Sequence, residues 1–359
     1  MGLLRIFLSF LLAAVALFRA HSQPMVPALN IFGDSVVDAG NNNNRLSLVK
    51  ANFPPYGRDF IDHKASGRFC NGMLAIDYTA EYLGFTSYPP AYLSDDAKGR
   101  NILTGANFAS AACGYYNMTS LAYLAISLPQ QIEYYRAWQN KVVGMVGRAR
   151  ANEIFSGAVQ LLSAGSSDFI QNYYINLPLR GAYSIDRFSD MLLKSFTNFV
   201  EKLYGLGARR IGVTTLPPMG CLPAAISLFG RGSNQCVPRL NADSVMFNNK
   251  LNTTAEKLLN QYQGLKLVVF DIYTPLLELV MKPSDNGNVP KFRSMGFAES
   301  RRACCGTGTI ETSLLCNSMS VGTCSNASQY VFWDSFHPTQ QANEYLAQSM
   351  LVKGFDLIS

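Results

Sequence analysis

Four short apolar runs, separated by stretches of helical periodicity, constrain the fold of this chain more than any other feature. The first run, Ala28–Phe32, stops at Gly33 and is followed by polar turn residues. Runs of this length between turn residues are typical of strands buried in a parallel sheet. The alternation of strands and helices predicts an α/β fold. The other predicted strands are Ala158–Ala164, Arg210–Thr215 and Lys266–Asp271.

Helical patterns fill the intervals between the predicted strands. Ser184 is a predicted N-cap, and the helix that follows it ends at Gly205 or Gly207. Pro338 is expected in the first turn of a last helix. Apolar residues at helical spacing predict further helices over Asn71–Leu83, Leu128–Val143 and Pro238–Tyr262, and a short one to about Met281.

The first 22 residues have the features of a targeting segment. Arg5 precedes an apolar stretch, Ile6–Phe18, and a small-x-small cleavage site stands at Ala20–Ser22. The apolar stretch is too short to span a bilayer comfortably, and no later run is long enough. We therefore expect residues 1–22 to be a cleaved signal peptide and residues 23–359 to be one secreted domain without a transmembrane segment.

The charge of the chain gives no indication of a nucleic-acid partner. The formal net charge is +6, and loss of Arg5 and Arg19 with the signal peptide leaves +4. The basic residues are scattered, and no block of five like charges occurs. Nucleic-acid binding is therefore not expected.

Cysteines and glycosylation motifs agree with export. All eight cysteines follow residue 22, and an even number in an exported chain predicts disulfides, although eight cysteines permit many pairings. Zinc is not expected, because His63 and His337 are the only histidines after residue 22. Four cysteines share one loop: Cys304, Cys305, Cys316 and Cys324. Glycosylation motifs stand at Asn117, Asn252 and Asn326.

Two separated segments carry the residues of a possible nucleophilic system. Ser35 follows the first predicted strand on a turn, a position where ligands bind in parallel sheets. His337 stands three residues after Asp334, so that the carboxylate can orient the imidazole. Taken alone, Ser35 could cap a helix and His337 could be incidental. Together they predict a Ser–His–Asp system, whereas His63 is expected at the surface.

The nucleophile elbow of the common α/β-hydrolases is absent. Neither Ser35 nor Ser167 is followed two residues later by glycine. An ordinary α/β-hydrolase is therefore not predicted.

Four short blocks, in order along the chain, resemble those of the GDSL-type (SGNH) hydrolases, and most of all the secreted GDSL esterases/lipases of plants. The first block contains Gly33-Asp34-Ser35 and continues to Asp38 and Gly40-Asn41-Asn42. The others are residues 107–114, 165–168 and 334–338. Together the blocks extend over nearly the whole chain after residue 22.

This resemblance implies a three-layer α/β/α fold with a flavodoxin-like parallel sheet of about five strands. It makes Ser35 the nucleophile, His337 the base and Asp334 its orienting carboxylate. The oxyanion would be bound by the N–H of Ser35, the N–H of Gly114 and the side chain of Ser167.

The chain departs from the family pattern at two positions. Val36 replaces the leucine that gives the motif its name, which is a conservative change in packing. Ser167 stands where the family has an oxyanion-binding asparagine, and its shorter side chain predicts a weakened third donor. Cys113, beside Gly114, could pair with Cys70 and stiffen this edge of the site.

The predicted function is that of a secreted serine esterase or lipase, which hydrolyses acyl esters through an acyl-enzyme on Ser35. Neither a metal nor an organic cofactor is implied. The partner is expected to be a small-molecule, lipid or glycan ester. Two alternatives stay open at this point: an acyltransferase of the same fold, and a catalytically weak extracellular ester- or glycan-binding protein.

Overall fold

A parallel sheet of four strands forms the centre of the protein. The computed structural model describes residues 23–284 and 296–359, so that the predicted signal peptide, residues 1–22, lies outside the described residues. The four strands lie side by side in chain order, and all neighbours are parallel. The predicted strands and the α/β class are confirmed. The strands are β1 (Leu29–Gly33), β2 (Val159–Ser163), β3 (Arg210–Thr214) and β4 (Lys266–Phe270).

The expectation of about five strands is corrected to four regular ones within the described residues. Residues 106–110 occupy the fifth position, along the outer edge of β1, and run parallel to it. Ile31 donates its N–H to the carbonyl of Ala106 (3.0 Å) and accepts from the N–H of Phe108 (2.7 Å). The other side of the segment is bound by loop residues 90–92, which prevents a regular ladder. With this segment included, the order is the flavodoxin-like one.

Helices cover both faces of the sheet and give three layers. Within the described residues the helices, apart from short turns, are α1 (Ala75–Tyr82), α2 (Asn117–Ala122), α3 (Leu128–Val146), α4 (Arg148–Gly157), α5 (Leu177–Ala182), α6 (Ile185–Gly205), α7 (Pro223–Phe229), α8 (Pro238–Gln261), α9 (Tyr273–Met281) and α10 (Gln340–Ile358). On one face α3 packs against β1, α8 packs against β4, and α6 packs between these two helices. On the other face α1 and α10 pack together, with α10 against β3 and β4.

Residues of β1 contribute to the hydrophobic cores on the two faces of the sheet. Leu29 and Ile31 belong to the core beneath α1 and α10, whereas Phe32 belongs to the core beneath α3, α6 and α8. Side chains of a strand point to opposite faces, so a strand covered on both sides is mostly apolar. Double burial therefore explains the apolar run, in which Asn30 is the polar exception and accepts the N–H of Ala106 (3.1 Å).

The helix ends follow local hydrogen bonds. Ser184 is the N-cap of α6, where its side chain accepts from the N–H of Arg187, as predicted. The position predicted for Pro338 is wrong. Thr339 caps α10 through the N–H of Ala342, and the helix begins at Gln340, after the proline.

Three disulfides are present, and they join Cys221 to Cys236, Cys304 to Cys324 and Cys305 to Cys316. The predicted bond between Cys70 and Cys113 is wrong, because both thiols are free and buried. Cys70 belongs to the core beneath α1 and α10, and Cys113 belongs to the core on the opposite face of the sheet.

A second, two-stranded parallel sheet lies beside the loop that contains two of the disulfides. Its strands are β5 (Glu299–Ala303) and β6 (Tyr330–Phe332). Cys304 and Cys305 donate backbone hydrogen bonds to Phe332 and Trp333. The crosslinked loop is thereby bound to the segment that precedes Asp334.

Candidate active site

The turn after β1 places Ser35 at the carboxyl end of the central sheet. Gly33 has φ +131°, and an added Cβ would overlap the carbonyl of Ser163, so only glycine fits there. The side chain of Gln131 exchanges two hydrogen bonds of 2.9 Å with the backbone of Gly33. Asp34 donates its N–H to the carbonyl of Ser163 (2.9 Å). The nucleophile turn is therefore held by the sheet and by α3.

The loop after β6 forms a tight turn around the carboxylate of Asp334. Oδ1 of Asp334 accepts backbone N–H bonds from Phe336 and His337, each 2.9 Å long. Trp333 closes the turn by donating its N–H to the carbonyl of His337 (2.8 Å). The spacing of three residues brings the imidazole back over the carboxylate.

The structure brings the three predicted side chains into one hydrogen-bonded line. His337 Nδ1 lies 2.7 Å from Asp334 Oδ1, and His337 Nε2 lies 2.6 Å from Ser35 Oγ. Ser35 is 6 % exposed, His337 is 4 % exposed and Asp334 is fully buried. In this arrangement the serine hydroxyl can transfer its proton to the imidazole, and the carboxylate can stabilise the resulting charge.

Two groups that the sequence did not indicate bind the second oxygen of Asp334. Tyr56 donates its phenol hydrogen to Oδ2 (2.7 Å), and Thr312 donates its hydroxyl (3.1 Å). Burial raises the pKa of Tyr56 well above its ordinary value, so the phenol stays a donor. The contact between Tyr56 and Asp334 could not easily be predicted from the sequence, because 278 residues separate the two.

Ser35 opens into a small cavity of about 50 Å³. His337 and Ser167 line the same cavity, so the structure brings Ser167 to the predicted region. Gly114 is not among the wall residues in the described part of the chain. Its Cα faces the carboxylate of Asp168, where an added Cβ would overlap that group.

Buried carboxyl groups surround the nucleophile turn. Burial raises the pKa of Asp34 and of Asp168 to about 7, and that of Asp38 to about 6. Asp168 accepts hydrogen bonds from the backbone of Tyr115 and Tyr116 and thereby ties residues 114–116 to the turn after β2. Oδ2 of Asp34, in contrast, is buried and has no hydrogen-bond partner among the described residues.

The remaining predicted residues lie away from this cavity. His63 is exposed, as predicted. The three sequon asparagines, Asn117, Asn252 and Asn326, are exposed, which glycosylation requires. Within residues 23–284 and 296–359, no group of three or more His, Cys, Asp or Glu side chains could hold a metal ion. In the same residues, no helix combines the length and apolarity needed to cross a membrane.

Comparison with known proteins points to one family of ester hydrolases. The family model of the GDSL-like lipases/acylhydrolases matches residues 29–350. A GDSL esterase/lipase of Arabidopsis thaliana is 61% identical, with 98% of each chain covered. A second from the same plant is 58% identical over 97% of each chain. The Arabidopsis GDSL esterase/lipase APG is 54% identical over 97% of this chain and 96% of its own.

Proposed function

The chain belongs to the GDSL-like lipase/acylhydrolase family and is a carboxylic-ester hydrolase, and from this premise we propose that Ser35 is its nucleophile, His337 its general base and Asp334 the carboxylate that orients the base. The observation that carries the proposal is the buried hydrogen-bonded line from Ser35 Oγ through both ring nitrogens of His337 to Asp334 Oδ1.

The reaction proceeds in two halves. Ser35 Oγ attacks the ester carbonyl while its proton passes to Nε2 of His337, and a tetrahedral oxyanion forms. The intermediate collapses with cleavage of the ester C–O bond, and His337 returns the proton to the leaving alcohol. Water then attacks the acyl-enzyme with His337 as base, and the acid leaves Ser35. Asp334 stabilises the imidazolium in both halves.

The oxyanion needs hydrogen-bond donors at the mouth of the cavity. The backbone N–H of Ser35 and the side chain of Ser167 supply them in our proposal, because both residues line the cavity that contains His337. Gly114 stays a predicted third donor.

We also propose that residues 1–22 are removed and that residues 23–359 form one domain of a secreted glycoprotein. Three disulfides support an oxidising compartment, and three exposed sequons support glycosylation. The partner is a small-molecule, lipid or glycan ester, and no nucleic acid is bound.

Labelling with a serine-directed fluorophosphonate tests the assignment. Wild-type protein should react, and Ser35→Ala should lose both the label and at least about 10⁴-fold in turnover. Its thermal unfolding should match that of the wild type, because a turn hydroxyl adds little to the core. Ser166→Ala, in the wall of the same cavity, is the matched control and should retain labelling. Substantial hydrolysis by Ser35→Ala would refute the proposal.

A further inference from the structure

A second and larger cavity lies between the sheet and the helices α1 and α10. Its volume is about 140 Å³, and its wall is almost entirely apolar. From β2 the wall includes Val159, Leu161 and Ser163, which are alternate residues on one face of the strand. The cavity therefore follows that face over the whole strand, a length of about 13 Å at 3.3 Å per residue.

This cavity adjoins the one that contains Ser35. Both are bounded by the residue after the nucleophile, by the ends of β2 and β3, and by the first half of α10. The shared wall residues are Val36, Ser163, Thr214, Ile272 and Leu346. The larger cavity therefore begins next to the nucleophile and extends away from it towards the amino ends of the strands.

Small residues of α10 leave room along its length. Ala347 and Gly354 both line the cavity and are separated by about two helical turns. A Cβ added to Gly354 would meet no atom of the described residues within 4 Å, so the space beside it is open. Leu346 marks the end near Ser35, and Gly354 lies at the far end.

We propose that this cavity binds the acyl chain of the ester, so that the enzyme prefers medium-chain acyl groups to acetyl groups. The inference rests on the proposed function, since it needs Ser35 as the acylated residue. An apolar cavity of about 150 Å³ is known to stay dry and to bind benzene, so this one has room for roughly six carbons. The few carbons nearest the carbonyl would occupy the smaller cavity.

An acyl chain is the occupant that the surroundings favour. The cavity starts at Val36 and Ser163, which also line the smaller cavity of Ser35, and its wall offers almost no polar partner. Each methylene group buried there raises the binding constant of the acyl chain about fourfold. If that gain is expressed in the transition state, the ratio of kcat/KM for decanoate over acetate esters exceeds about tenfold.

Filling the far end tests the proposal. Gly354→Leu should lower the decanoate-to-acetate ratio of kcat/KM at least about tenfold, while hydrolysis of p-nitrophenyl acetate stays within twofold. Gly144→Leu is the matched control: it also lies inside a helix, where a Cβ meets no atom within 4 Å, but it does not line the cavity. Both changes favour the helix, so both proteins should fold.

The position of the substituted side chain along the cavity should determine the acyl chain length above which hydrolysis falls. Ala347→Phe, nearer Ser35, should already reduce hydrolysis of hexanoate, whereas Gly354→Leu should spare it. If Ala347→Phe does not fold, the comparison of Gly354→Leu with Gly144→Leu still decides. Identical chain-length profiles in wild type and Gly354→Leu would overturn the proposal.

Binding of decanoic acid to Ser35→Ala protein provides a readout without turnover. The double variant Ser35→Ala/Gly354→Leu should bind it at least about tenfold more weakly. If both proteins bind decanoic acid equally well and acetate hydrolysis still depends on Ser35, the acyl-chain cavity is refuted and the nucleophile assignment stands. Acetate hydrolysis that survives Ser35→Ala would instead refute the nucleophile assignment, and the binding comparison would still test the cavity.

Discussion

The two sides of the site are held in place by different means. On the nucleophile side, Ser35 follows a central strand, and the turn is bound by Gln131 and by the carbonyl of Ser163. These partners belong to α3 and β2, whose side chains form the largest hydrophobic core. The position of Ser35 therefore depends on the packing of the whole sheet.

On the other side, His337 and Asp334 lie on a loop that follows a strand of only three residues. Thr312, within the loop closed by Cys305 and Cys316, binds the carboxylate of Asp334. A smaller core around Trp333 and Tyr56 is thus supplemented here by disulfides and side-chain hydrogen bonds. Stability and activity are therefore separable, because the base side can be disturbed while the sheet stays folded.

Substitution of Ser167, in the turn after β2, should have the largest effect that we expect beyond loss of Ser35. If its hydroxyl donates to the oxyanion, Ser167→Ala should lower kcat by about 10² with little change in KM, as for a bond made in the transition state. Steady-state kinetics on a short ester would measure this. A change below about threefold would show that backbone donors suffice.

Ser167→Asn provides the second arm of that experiment. The carboxamide restores the family's residue, so kcat on small esters should rise if the cavity of about 50 Å³ has room for it. A fall in kcat would show that the wall has been rebuilt around the shorter side chain.

Tyr56 tests the base side. Tyr56→Phe leaves Oδ2 of the buried Asp334 with only the bond from Thr312, and a hydrogen bond to a charged group is worth about 1.5–3 kcal/mol. We expect kcat to fall roughly tenfold or more. Tyr115→Phe is the matched control, because its buried hydroxyl has no hydrogen-bond partner among the described residues. Equal kcat values for the two variants would contradict this role.

Removal of single disulfides tests most directly whether stability and activity are separable. Removing Cys305–Cys316 or Cys221–Cys236, whose sequence separations are 11 and 15, should each cost about 2–4 kcal/mol of unfolding free energy. Only the first pair of serine substitutions should lower kcat, by severalfold, because Cys305 is bound to the residue before Asp334. Urea unfolding and kinetics at 25 °C measure both. Equal kcat values in the two variants would contradict the claim that only the base-side disulfide supports activity.

The structure of the nucleophile side could be predicted well from the sequence, and that of the base side only in part. The apolar runs predicted β1 to β4, because strands covered on both faces are mostly apolar. The fifth position of the sheet was not predicted as an irregular segment, since its partners are backbone groups of the distant loop at residues 90–92. The support of Asp334 by Tyr56 was equally hidden, because contacts at long sequence separation leave no periodic pattern.

Cysteine pairing shows the same limit. An even number of cysteines predicted disulfides, and the crowded loop does hold two. A bond between Cys113 and Cys70 was considered as a means to stiffen the edge of the site at Gly114. The topology places them in cores on opposite faces of the sheet, which no local pattern reveals.

Asp34 is expected to affect the pH dependence of stability. Burial raises the pKa of this carboxyl in the folded protein to about 7, from an ordinary value of 3.8. The folded state therefore holds the proton more tightly than the unfolded chain does. The stabilisation from Asp34 is complete below about pH 4 and is lost as the pH rises through 7, with an upper limit of a few kcal/mol.

Asp34→Asn removes this titration and keeps the acceptor for the N–H of Val36. The variant should resemble the wild type near pH 4 and exceed it in unfolding free energy near pH 8. Asp38 and Asp168 also have raised pKa values and remain in both proteins, so the difference between the two urea-unfolding curves reports the titration of Asp34 together with its charge interactions with these two groups. Asp34→Ala, which also loses the bond from Val36, should be less stable than Asp34→Asn at every pH. If the difference between wild type and Asp34→Asn does not change from pH 4 to 8, the carboxyl does not titrate in this range. Water would then have more access to the nucleophile turn than the burial of Asp34 implies.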